Sequence, residues 1–122
     1  MSKRKISIEE ARAVLREAQE EEFRQSVKRL QPYVGRFFRY RNRYSGEGPG
    51  WWLYGEVTSI ADWGQAFGYI FEEDENGRFS VEKGTTMASI ADGNWKEISQ
   101  KLFESERAKF VSRLLESIGS MP

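Results

Sequence analysis

Arg39, Arg41 and Arg43 alternate with Phe38, Tyr40 and Asn42, so in an extended strand the three guanidiniums share one face. At period two they stand roughly 6.5–7 Å apart, a spacing at which planar forked donors can each take a separate carboxylate or phosphate. Three uses remain open for this comb. It can be a solvated strand face or pair with the acidic run Glu72-Glu73-Asp74-Glu75, it can grip a protein partner, or it can follow nucleic-acid phosphates. Neutral net charge, with 19 basic and 19 acidic residues, argues against the last, because phosphate neutralisation dominates nucleic-acid affinity.

Aromatic residues stand close to the comb. Of the 17 in the chain, 12 lie between Tyr33 and Phe71, a density that marks a core. Trp51 and Trp52 are adjacent on an expected strand, so their rings must point to opposite faces, one into the core. The other, with Trp63 in a turn and Tyr44 beyond the arginines, is a candidate anchor for a partner or platform for a base. The acidic run at 72–75 can be read as a cation site or as a charged hairpin tip that keeps an edge soluble. Consecutive carboxylates diverge, which favours the tip.

Reactive chemistry is sparsely provided. The chain has no cysteine and no histidine, which removes thiolate nucleophiles, disulfides, the commonest metal ligand and the commonest general base. No carboxylate pair stands out among the acidic residues, and the loop Ser45-Gly46-Glu47-Gly48-Pro49-Gly50 lacks the Lys-Ser/Thr ending of a phosphate-binding loop. No catalytic residue, metal site or cofactor is therefore assigned. No apolar run is long enough to span a membrane and no secretory signal is visible, so a cytoplasmic protein is expected.

The elements that position these residues read as one domain over residues 1–122. Ser7-Ile8-Glu9-Glu10 has the form of a capping box, and a helix is expected over 8–31, stopped by Pro32. Its apolar residues form two displaced stripes. Ile8, Ala11, Val14, Leu15 and Ala18 suit the other helix or a second subunit, while Phe23, Val27 and Leu30 suit the sheet. From residue 33 the period becomes two. Strands are expected around 33–44, 51–60, 65–73 and 78–82, with a short one over 85–90 and a closing one at 95–98. Asn76-Gly77 marks a hairpin turn, and Ser99 caps a last helix over 100–118. The apolar face of that helix carries Leu102, Phe103, Phe110, Val111, Leu114, Leu115 and Ile118.

The expected fold is thus α+β, a curled antiparallel sheet of five to six strands over 33–98, flanked by helices. Its strand count and spacing resemble an SH3-like barrel. The run Gly35, Phe37, Phe38, Tyr40, Asn42, Tyr44, Ser45, followed by Trp51 and Tyr54, is similar to one found in small proteins encoded by phages and prophages. That resemblance implies a mobile-element origin, with a host protein or defence complex as the partner of a small inhibitor. The functional expectation is a non-enzymatic protein-binding module using Arg39, Arg41, Arg43, Tyr44, Trp51 and Trp63. The alternative is a nucleic-acid-binding small barrel using the same arginine face. A homodimer through the N-terminal helix is also open.

Overall fold

The computed structural model describes residues 5–42, 50–87, 90 and 93–119. Helix α1 (Ile8–Leu30) starts where the Ser7 hydroxyl accepts the Glu10 amide, and a 3-10 turn (Gln31–Tyr33) follows it at Pro32. Five strands come next: β1 (Phe37–Asn42), β2 (Trp51–Ile60), β3 (Ala66–Glu73), β4 (Phe79–Thr86) and β5 (Lys96–Ile98). Helix α2 (Gln100–Gly119) closes the chain, its Leu102 amide donating to the Ser99 hydroxyl.

The strands make one antiparallel sheet in the order β4-β3-β2-β1-β5. The expectation of a barrel with up to six strands is corrected here. Among the described residues β4 and β5 are the two edges and do not pair, so the sheet stays open. Nor do the described residues show the separate strand expected over Thr85–Ile90. Thr85 and Thr86 continue β4, and the Met87 amide donates to the Ala66 carbonyl just past its end. One extra residue in β4, opposite Gly68–Ile70, makes this possible: Gly84 takes φ +64° in a bulge that bends the strand instead of turning it back.

Register divides the aromatic residues between two faces. On the first, Phe38, Val57 and Ile70 join Leu30, Met87, Ile90 and Trp95. On the second, Phe71 meets Phe103 and Phe110 of α2, with Phe37, Tyr54, Tyr69 and Phe79 around them. Backbone proximity is tightest at Gly68, where any β-carbon would overlap the Glu56 carbonyl oxygen and the Met87 sulfur.

Both helices bury less than their sequences suggest. Along α2, Phe110 and Leu114 fall within about 20° of Phe103, one on each side, at 100° per residue, and the three face the sheet. Val111, Leu115 and Ile118 sit 60–120° round from them by the same geometry and remain exposed, which corrects the broad apolar face expected for this helix. In α1 only Leu30 is buried and Phe23, Ser26 and Val27 are half-buried. Everything from Lys5 to Glu22 is exposed, so its first half does not pack on α2. No helix among the described residues is long and apolar enough to cross a membrane.

Gly68→Ala is expected to lower the unfolding free energy by about 3 kcal/mol in urea titration, since the obstacle is backbone as well as side chain. A loss below about 1 kcal/mol would mean the strands can separate at this point. On α2, Phe103→Ala should cost about 3–5 kcal/mol, whereas Leu115→Ala should stay within about 0.5 kcal/mol. Equal losses would show that the helix presents a different face to the sheet.

Candidate interaction surface

Two residues of the arginine comb can be placed. In the β1–β2 register Arg39 stands opposite Tyr54 and Arg41 opposite Trp52. Side chains opposite one another in an antiparallel pair emerge on the same face, so both arginines lie over β2. Their guanidinium carbons come within 4.2 Å (Arg39) and 4.9 Å (Arg41) of the Trp52 ring centroid. This is cation–π geometry on one indole, and each contact is worth about 0.5–1 kcal/mol where solvent reaches it. It also restrains two long side chains whose rotamer freedom would otherwise be lost on binding.

The arginines, Trp52 and Tyr54 are all half-buried. They share the face that α2 covers, and are not on an outer, wholly solvated side of a barrel. Arg39 carries the one orphaned atom of the described side chains: its Nε is buried with no hydrogen-bond partner. Three residues of the acidic run have other partners. Glu73 pairs with Arg113 of α2 at 2.9 Å, and Glu72 accepts the Trp51 indole N–H at 2.6 Å. Asp74 accepts the Asn76 and Arg78 amides, closing the hairpin turn. The tip therefore builds the β3–β4 turn and ties α2 to the sheet.

Beside the arginines, a cavity of about 260 Å³ is lined by Trp52, Tyr54, Phe71, Glu106, Phe110 and Arg113. Burial pushes the Tyr54 hydroxyl above its ordinary value of 10, the Glu106 carboxylate adds to this, and Arg39 pulls the other way. The neutral phenol is thus the form the fold prefers.

Of the remaining predicted site residues, Trp51 also borders this cavity, its indole donating to Glu72, although strand alternation starts it on the opposite face from Trp52. Trp63 is 58% exposed and meets Phe67 edge-on at 6.1 Å, in the turn after β2. Trp52 and Ile60 are eight residues apart on one strand, about 26 Å, so Trp63 lies at the far end of the sheet from the arginines. It borders α1 there, beside Phe23 and Ser26. An exposed tryptophan adjoining the comb, as expected from sequence, is corrected to the half-buried Trp52 beneath it. Arg43 and Tyr44 lie outside the described residues.

One further hollow escaped sequence reasoning. Tyr40, Leu53 and Ile70 floor a cleft of about 390 Å³ on the other face, walled by Glu72, Glu82 and Trp95. Its lining comes from strands β1 to β4 and the approach to β5, so no local motif could announce it. Among the described residues no three acidic side chains gather as a metal-binding group. Comparison with protein-family models, with curated proteins and with solved structures finds no match.

Tyr54 supplies a pH test. As pH rises, an unfolded Tyr54 ionises near its ordinary value and the folded one only later. The stability it contributes is therefore complete below pH of about 10 and lost as pH climbs through the raised folded value. In urea titrations through the alkaline range, Tyr54→Phe should fall less steeply than the unaltered protein above that pH. Parallel slopes would show that Tyr54 is solvated like a free tyrosine.

Proposed function

We propose that the protein is a non-enzymatic binding module that grips an acidic surface of a partner protein through Arg39 and Arg41 on Trp52. The observation that carries this reading is the stacking of both guanidiniums on one indole, with the buried Nε of Arg39 left without an acceptor. A guanidinium held as Arg39 is can offer N–H edges to a carboxylate while the ring beneath it excludes water.

A nucleic-acid reading uses the same charges but fits less well. The Trp52 ring is occupied by the arginines, and Trp63, the exposed alternative for stacking a base, stands at the opposite end of the sheet. The finer reading of the fold is an opened relative of the SH3-like barrel, supported by a β1–β4 meander whose first strand also takes β5. The motif similarity to phage-encoded proteins supports a module that acts in the cytoplasm of a bacterial host as a small inhibitor of a host or defence protein.

Immobilised protein, incubated with bacterial lysate with and without nuclease, tests the reading. A protein species should survive nuclease and drop at least about tenfold with Arg39→Ala/Arg41→Ala, while an equally charge-altered Lys28→Ala/Lys101→Ala control retains it. Circular dichroism confirms that both variants fold. Retention of nucleic acid, with every bound protein released by nuclease, would establish the nucleic-acid reading instead. Equal capture by both variants would reduce the arginines to a structural cover over Trp52.

A further inference from the structure

The first half of α1 stands clear of the other described residues. From Ile8 to Glu22 it is about 22 Å of helix with no buried residue, a length that is marginal in water without a partner. Ile8, Val14 and Leu15 are 71%, 61% and 69% exposed, far beyond what an isolated surface helix needs to show. Helix α2 does not supply the cover, because α1 is anchored through Leu30 in one sheet-face cluster and α2 through Phe103 and Phe110 in the other.

The pattern of the exposed stripe identifies what fits it. Ile8, Ala11, Leu15 and Ala18 follow 3-4-3 spacing, the seam of two helices packed side by side. Along the seam the sizes run large, small, large, small. Reversed, the same series runs small, large, small, large, which is its own complement. An antiparallel second copy therefore forms four layers, Ile8 against Ala18 and Ala11 against Leu15, each twice over. Charge favours the same direction. Residues 5–16 carry Lys5, Arg12 and Arg16 against Glu9 and Glu10, whereas residues 17–22 carry Glu17, Glu20, Glu21 and Glu22 and no base. Parallel pairing sets the four glutamates of 17–22 against their own copies, whereas the antiparallel register sets them beside the start of the helix, where Lys5 offsets Glu9, and sets Arg16 beside Glu10.

We propose that α1 is a self-pairing arm: two copies of this chain join antiparallel through Ile8, Ala11, Leu15 and Ala18. The pair is isologous about a two-fold axis, with Val14 of each copy flanking that axis. The seam is short compared with standard protein interfaces, so the dimer is concentration-dependent. It does not rest on the arginine platform and leaves that face of the sheet open.

Sedimentation velocity over a roughly hundredfold concentration range should show mass rising from 14.2 kDa towards twice that value. Leu15→Glu, at an exposed position that leaves the monomer fold intact, should weaken association at least about tenfold. The Ala11→Leu/Leu15→Ala swap restores each layer with the sizes exchanged and should associate like the unaltered protein. Orientation is read by crosslinking in this cysteine-free chain. Ala11→Cys mixed with Leu15→Cys should form a disulfide faster than either variant alone. Faster bridging of Ala11→Cys with itself would establish a parallel pair and overturn the proposed register. A monomer at every concentration, with no crosslink in any mixture, would overturn self-pairing altogether.

Discussion

Phe71 is the contact on which the rest of the structure depends. It is 2% exposed on the middle of β3, stacked on Tyr54 of β2 and tilted against Phe103 and Phe110 of α2. A sheet with only α1's last turn on one side would leave the aromatic side chains of the other face in water. Burying rings of this size supplies much of the free energy that holds so small a domain together. The same contact sets α2 at the height where Arg113 reaches Glu73 and Glu106 approaches Tyr54. Packing thereby determines the electrostatics beside the arginines.

A ring lies at the centre of those electrostatics, with both guanidiniums over Trp52. Arg36 takes Glu97 at 3.5 Å and Arg113 takes Glu73, both as ordinary half-exposed pairs worth little each. Arg39 takes Trp52. A guanidinium on an indole keeps its charge unneutralised while its apolar faces are desolvated, which is a poor way to build stability and a good way to present a donor. The two surface features lie at opposite ends of the molecule. One end carries the stacked arginines, the other carries Trp63 and the root of a helix that extends beyond the body.

The contrast between the two helices shows how far amphipathicity can mislead. In α2 the ring residues at positions 103 and 110 win the sheet, and the aliphatic residues 60–120° away are left outside because one cylinder meets one surface along one line. In α1 the two apolar stripes are displaced by about a third of a turn, and only the one near Leu30 reaches the sheet.

Much of the fold was legible in local chemistry. The caps at Ser7 and Ser99, the stop at Pro32, the positive φ at Gly77 and the period-two alternation from Phe37 onward each act over a few residues. The sequence alone therefore determined the α+β composition, the order of the elements and the common face of Arg39 and Arg41. Tertiary structure decided the rest. Which ring lies under the arginines depends on the β1–β2 register. Whether Thr85 begins a new strand depends on a bulge opposite Gly68. Whether the edges join depends on how much of β5 remains once β1 has claimed it. These outcomes are set by residues 10 to 60 positions apart, whose pairing no local preference encodes, because alternation specifies a face but not the strand that will lie across from it.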